Sequence, residues 1–281
     1  MQCTNRRFRA ALRPRVLWVA AAALRPRVLW VAAAALCVLG GCAIPHTPAT
    51  PHSPELESDP VTGRQFFLYV PSMYREETPS PLIITCHGTP PFDVAEHHIK
   101  TWKWYGEQNN CIVVAPKLDA TDGILGDGPL VGMLSNEKWI LSIVSSLSYR
   151  YNIDRANVMI TGFSGGGFPT YWIGLRHPDI FHCIVAQGCN FSRPNLDGWW
   201  PREAKASKLF IYFGSNDPGT IVAQSRRAVE YFQEKGFPHL ETRELSGTGH
   251  ERRPDLAMEF FRKHWRAPRP SMPQAGSAAL R

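Results

Sequence analysis

NVMITGFSGGG, residues 157–167, is the stretch on which the fold turns. An apolar, β-branched run (Val158, Met159, Ile160, Thr161) leads straight into Gly162-Phe163-Ser164-Gly165-Gly166, a G-x-S-x-G sequence, and a helical pattern follows from Gly166 to Arg176. Strand, tight turn and helix in that order make the pentapeptide more than a glycine-rich loop. A turn this sharp leaves no room beside the serine, so Gly162 and Gly166 are small for a steric reason. The turn lifts the Ser164 hydroxyl clear of the sheet, at a helix N-terminus that favours developing negative charge. The plainer alternative is a glycine turn with an N-cap serine.

Working outward, apolar runs alternate with helical patterns. Strands are predicted at Gln65–Val70, Leu82–Cys86, Cys111–Ala115, Asn157–Thr161, His182–Gln187, Leu209–Phe213 and Leu240–Leu245. Helices are predicted at Val94–Gln108, Asn136–Tyr151, Gly166–Arg176, Thr220–Lys235 and Arg252–Trp265. Continuous apolar strands between helices imply an α/β fold, a mostly parallel central sheet covered on both faces. In such sheets, chemistry sits on loops at the carboxyl ends of strands. Pro169 is tolerable only in the first turn of its helix, which argues for a regular helix starting later than Gly166.

A serine nucleophile needs a base, and the base needs an acid to set its tautomer. Asp217 follows the strand LFIYF in Gly214-Ser215-Asn216-Asp217, and His250 follows Leu240–Leu245 in Gly247-Thr248-Gly249-His250. Ser164, Asp217 and His250 are therefore the candidate catalytic residues, each just beyond a strand. Asp217 could instead cap the helix after it, and His250 could be a surface histidine. An oxyanion hole needs backbone N–H donors. Gly165, after the serine, is one. The other must come from His87-Gly88-Thr89-Pro90-Pro91; the prolines have no N–H, which leaves Thr89, or with less support Gly88. His87 is read as bonding within its own loop.

From Gln65 to Trp265 the chain resembles the secreted poly(3-hydroxybutyrate)-depolymerase-type and feruloyl-type esterases of the α/β-hydrolase superfamily. The segments that carry the likeness are PLIITCHGT, YNIDRANVMITGFSGGG, HPDIF and YFGSNDP…GTGHE. The resemblance implies the α/β-hydrolase fold and serine-dependent hydrolysis of carboxylic esters, with no cofactor and no metal. Two features depart from that pattern: the Pro90-Pro91 pair in the oxyanion loop and Pro169. A serine peptidase or amidase of the same fold and a non-catalytic ligand-binding lipoprotein are the competing expectations.

Charge does not favour a nucleic-acid partner, and none is expected. The net charge is +7, but residues 1–42 carry seven arginines and no acid, and the remaining 24 basic residues of the chain's 31 balance its 24 acidic ones. The leader has a basic start and an apolar stretch from Val28 to Leu39, as an export signal does. Leu39-Gly40-Gly41-Cys42 resembles the lipobox of bacterial lipoproteins, which implies lipidation of Cys42, an exported, membrane-anchored protein and a lipid partner. An ordinary secretory signal is the alternative. Leu12–Ala23 recurs unchanged as Leu24–Ala35, a tandem duplication with no catalytic role. Residues 43–59 read as a flexible tether, 60–265 as the catalytic domain and 266–281 as a disordered tail. Cys183 and Cys189 flank one strand, too far apart to pair, so Cys86, Cys111, Cys183 and Cys189 are expected to be buried thiols.

Within the domain, residues 119–134 are either a rim of the site or a plain loop. Trp199 and Trp200 are either a pocket wall or core. Trp102, Trp104, Trp139 and Trp172 are assigned to the core, and Arg226, Arg227, Arg252 and Arg253 to solvated helix surface. His97 and His98 lie on different helix faces and make no ligand pair.

Overall fold

The computed structural model describes residues 51–119, 121 and 130–267. The leader, Cys42 and most of the expected tail lie outside them. Eight strands form one sheet: β1 (Glu55–Ser58), β2 (Gln65–Tyr69), β3 (Ser80–Cys86), β4 (Ile112–Pro116), β5 (Ile153–Ser164), β6 (Cys183–Cys189), β7 (Lys208–Gly214) and β8 (Leu240–Leu245). Their order is β1-β2-β4-β3-β5-β6-β7-β8. The β1–β2 and β2–β4 pairs are antiparallel, and every pair from β4 to β8 is parallel. The helices are α1 (Ala95–Asn109), α2 (Leu130–Arg150), α3 (Gly167–Arg176), a single turn α4 (Arg193–Leu196), α5 (Gly219–Glu234) and α6 (Pro254–Lys263).

Strand pleating divides the core into two layers. Ile84, Val114, Ile160, Ile184 and Ile211 pack with α2, α3 and α5 on one face. Their neighbours Ile83, Val113, Met159, Val185 and Phe210 pack with α1 and α6 on the other. Both neighbours along a strand are buried, which is why the strands are apolar throughout rather than alternating. Helix α6 begins at Pro254, where a missing N–H costs nothing, and buries Leu256, Ala257, Phe260 and Phe261 at helical spacing.

Several expected boundaries shift. Residues from 51 on are part of the fold, not tether: His52 stacks on Tyr69 at 4.6 Å, and Glu55–Ser58 pairs with β2. This strand is an exposed polar edge, so it lacks the apolar run that marks the others. Helix α2 opens at Leu130, ahead of the expected Asn136 and inside the stretch 119–134 read as either rim or loop. Helix α3 starts at Gly167, one residue later than predicted, which puts Pro169 third, within the first turn, where no intrahelical N–H is needed. At the other end, Arg266 belongs to the fold, exchanging two hydrogen bonds with Asn157 (2.8 and 2.9 Å).

The four described cysteines are free and buried, and burial pushes the Cys86 thiol up to about 12. Trp102, Trp139 and Trp172 are in the core, but Trp104 is 46% exposed, against expectation, because it falls on the outer face of α1. Trp199 and Trp200 pack near the end of α3 remote from Ser164. Trp199 lies 6.0 Å from Trp172 and its carbonyl accepts from Arg176, while Trp200 donates to Tyr231 and meets Phe237.

A buried carboxylate joins α2 to α3. Glu137 accepts from Trp172 Nε1 (2.7 Å), Arg176 Nε (2.9 Å) and His177 Nε2 (2.7 Å). Burial works against its charge, but the His177, Arg176 and Trp172 bonds outweigh this and hold its pKa down at about 2. A carboxylate depressed in the folded state contributes stability above its ordinary pKa and loses it as pH falls toward the folded value. Glu137→Gln is therefore expected to cost about 2 kcal/mol at pH 7. That corresponds to a melting point roughly 4–8 °C lower. The gap between variant and parent should narrow between about pH 4.5 and 2. Equal melting points at pH 7 would refute the role given to Glu137.

Candidate active site

All five residues singled out for chemistry lie at the carboxyl-end edge of the parallel strands. Ser164 ends β5 with φ of +54°, a left-handed conformation that costs a residue with a Cβ. The surrounding contacts hold it there. Ser164 O accepts from Asn190 N (2.8 Å), and Gly166 N donates to Phe163 O (2.8 Å). A Cβ on Gly162 would lie 2.4 Å from Gly166 O, and one on Gly166 would lie 2.2 Å from Cys86 O. The glycines are required by backbone-to-backbone approach, as the sequence implied.

Asp217 follows β7 in a turn closed by its own side chain: Oδ2 accepts from Gly214 N (2.8 Å). Its other oxygen, Oδ1, accepts from His250 Nδ1–H (2.8 Å). Asp217 is almost fully buried and His250 about a quarter exposed at the side chain. With its proton on Nδ1, neutral His250 presents Nε2 as an acceptor. The two loops are bonded to each other, Ser215 N to Leu245 O and Asn216 N to Thr248 O, both at 2.9 Å. Gly188, with φ of +49°, leaves room for the pair; a Cβ there would be 3.1 Å from Asp217 Oδ2 and 3.5 Å from His250 Nδ1.

The imidazole of His250 stacks on Phe163, the residue before the serine, with centroids 4.4 Å apart. Register brings the remaining pieces together: Ser164 pairs with Cys189, and Gly188 precedes it. Thus the structure unites Asp217 with His250 by a direct bond and sets their ring beside the serine's strand end. No hydrogen bond joins Ser164 Oγ to His250 among the described residues. Such bonds commonly tighten only when substrate is bound.

At the oxyanion loop, Gly88 N–H is already used, donating to Asp93 Oδ2 at 2.7 Å. Thr89 N–H and Gly165 N–H have no acceptor among the described residues. The two stretches are in contact, since a Cβ on Gly165 would lie 2.8 Å from Thr89 Oγ1 and 1.9 Å from Thr121 O. Thr121 belongs to the 119–134 stretch, so this part of it reaches the site; residues 120 and 122–129 lie outside the described residues. His87 Nδ1 bonds Gly88 O (2.8 Å), and burial lowers its pKa toward the neutral ring.

Sequence reasoning missed three residues behind this loop. Asp93 Oδ2 also accepts from His98 Nε2 (2.7 Å), whose Nδ1 meets Thr85 Oγ1 (2.7 Å). Arg252, assigned above to solvated surface, pairs with Asp93 Oδ1. Only the spacing Asp93–His98, five residues across a helix start, hinted at the first contact. Nothing in the sequence links positions 93 and 252. Among the described residues no cluster of His, Cys, Asp and Glu is placed to hold a metal ion, and no helix is long and apolar enough to cross a membrane.

Comparison with known proteins places this geometry in context. Residues 140–193, from within α2 through the serine turn and β6 to the start of α4, match the prolyl oligopeptidase family. A bifunctional acetylxylan esterase/xylanase of Neocallimastix patriciarum is 29% identical over 161 residues, 55% of this chain and 22% of that protein. Poly(3-hydroxyalkanoate) depolymerase C of Paucimonas lemoignei is 22% identical over 229 residues, 66% of this chain and 55% of that protein. The chain thus spans about a fifth and about half of these two relatives. The fluorophosphonate-binding serine hydrolase FphF of Staphylococcus aureus superposes with a TM-score of 0.57 at 16% identity, over 74% of this chain and 97% of that one. The sheet order, the serine turn and these likenesses agree: the chain has the α/β-hydrolase fold.

Proposed function

We propose that this chain is a serine-dependent hydrolase of carboxylic esters. The observation that carries this reading is the Asp217–His250 bond of 2.8 Å, with its ring stacked beside a serine held at φ of +54°. His250 Nε2 takes the hydroxyl proton as Ser164 Oγ attacks the ester carbonyl carbon. Thr89 and Gly165 N–H groups receive the oxyanion. Collapse expels the alcohol with the proton from His250, leaving the acyl group on Ser164. A water activated by His250 then releases the acid and restores the serine. Asp217 keeps His250 in the productive tautomer and stabilises its charged form.

The esterase and depolymerase relatives support ester over amide substrates. The match to the prolyl oligopeptidase family favours a peptidase, but it is confined to residues 140–193, the serine turn and its flanking elements. Export and anchoring through a lipid on Cys42 belong to the same proposal and rest on the leader's composition. A fluorophosphonate probe should label the purified protein at Ser164, and p-nitrophenyl acetate should be hydrolysed where peptide p-nitroanilides are not. Peptide turnover exceeding ester turnover would select the peptidase. Absence of labelling would select a binding protein.

A further inference from the structure

We propose that Asp93 and Arg252 are positioning residues that hold the oxyanion-donor loop and the His250 loop in fixed relation across the site; this rests on the ester-hydrolase reading above. Asp93 closes the turn that carries Thr89, its N–H donating to Thr89 O at 3.1 Å. Its carboxylate is nearly buried and fully used. Oδ2 takes Gly88 N–H and His98 Nε2–H, both at 2.7 Å, and Oδ1 takes Arg252 Nη1.

Arg252 stands two residues after His250, and 159 residues separate it from Asp93 in sequence. The His250 loop has little side-chain packing of its own at its two glycines. Gly247 has φ of +71°, and neither Gly247 nor Gly249 has anything within 4 Å of where a Cβ would stand. On its far side the loop is held by Tyr212 Oη donating to Arg253 O (2.6 Å). Toward β7 it is tied by Gly247 N–H to Ser215 Oγ and Asn216 N–H to Thr248 O, both at 2.9 Å; at the site, His250 bonds Asp217 and stacks on Phe163, and Arg252 is the residue that ties the loop across to the oxyanion side. Consequently Gly88, adjacent to the donor Thr89, and Arg252, adjacent to the base loop, are fastened to the two oxygens of one carboxylate.

The groups facing Asp93 suit it to remain charged. They are His98, Arg252, the Gly88 N–H and, at 3.8 Å, His97. Burial opposes the charge, but the His98 bond, the Gly88 N–H and Arg252 prevail and hold the carboxyl at about 2. His98 is fully buried, and desolvation favours its neutral ring. A neutral His98 donates from Nε2 to Asp93 and accepts from Thr85 at Nδ1, so it props the carboxylate without neutralising it. Thr85 is sealed within β3, which rules out this Thr–His–Asp row as a second reactive site.

A positioning role has a kinetic signature. Displacing a base or an oxyanion donor by about 1 Å costs on the order of 100-fold in rate with little effect on ground-state binding. Arg252→Gln and Asp93→Asn are each expected to lower kcat on p-nitrophenyl acetate by roughly 10- to 100-fold, with KM changed less than about threefold. Rates are taken per site counted by end-point fluorophosphonate titration, so loss of folded protein does not enter. Arg252→Lys should recover most of the rate, and the double variant should be no slower than the slower single one. In Arg252→Gln, amide hydrogen exchange should rise together in Gly88–Asp93 and Thr248–Arg252. A kcat per labelled site within twofold of the parent, additive losses in the double variant, or unchanged exchange would overturn the inference. If instead the parent neither labels nor turns over ester, the ester-hydrolase reading fails, and the exchange measurement still judges the coupling of the two loops.

Discussion

Replacing Ser164 by alanine is expected to lower kcat for p-nitrophenyl acetate by about 10⁴- to 10⁶-fold, leaving only what the oxyanion donors and binding provide. The hydroxyl is the sole nucleophile that the serine turn presents, and alanine keeps the Cβ that Gly88 and its neighbours already accommodate. The fold should therefore survive, with a melting point near that of the parent. Asp217→Asn makes a graded companion. It keeps a side chain able to bond Gly214 N but favours the wrong tautomer of His250, for an expected loss of about 10³- to 10⁴-fold. Single-turnover acylation measured on both variants checks the assignment. Turnover within tenfold of the parent in Ser164→Ala would end the acyl-enzyme mechanism. The same rate in Asp217→Asn as in the parent would detach the acid from it.

The second large effect is on stability. Gly166→Ala is expected to cost about 4 kcal/mol or more, in the range reserved for strain at a close-packed backbone. Gly166 has φ of −63°, which any residue adopts, so conformational preference plays no part. The cost is steric: the added Cβ would stand 2.2 Å from Cys86 O and 2.6 Å from His87 O. Both are backbone atoms of the strand end and the oxyanion loop, and neither can rotate away. Gly219→Ala is the control, since nothing lies within 4 Å of its Cβ position; it should be neutral or slightly stabilising at the start of α5. Urea unfolding of the two variants beside the parent measures both. A Gly166→Ala variant within 1 kcal/mol of the parent would show that the turn and the oxyanion loop do not approach as described.

The two expectations are linked through the tightness of one turn. The approach that excludes a side chain at Gly166 also brings the oxyanion loop against the residue after the nucleophile. A Cβ on Gly165 would meet both Thr89 and Thr121. Loosening the turn would therefore cost activity as well as stability, because the donor N–H groups and the hydroxyl share the same supports.

Much of this was legible in the chain itself. Strand, tight turn and helix around Ser164 are local facts, set by which residues fit a strained corner, so a few neighbouring letters report them. Asp217 and His250 were readable because each follows an apolar strand in a glycine turn, and because parallel strands deliver their following loops to one edge. The polar strand Glu55–Ser58 was not readable: an edge strand stabilised by backbone pairing needs no apolar run. The start of α2 at Leu130 was hidden by the glycines before it.

What the amino-acid order determined was the kind of sheet, the corner that exposes Ser164 and the succession Ser164, Asp217, His250 along one sheet edge. The corner and each strand follow from steric fit and periodicity over a dozen residues or fewer, and the succession from the order of the loops along the chain. Only the tertiary structure decided that Gly88 spends its N–H on Asp93 while the Thr89 N–H has no acceptor among the described residues, that Arg252 closes onto a carboxylate 159 residues away, and that Trp199 and Trp200 lie near the end of α3 remote from the serine. Those outcomes depend on which loops the strand order brings together, and a contact between distant residues leaves no imprint on the local pattern of either one.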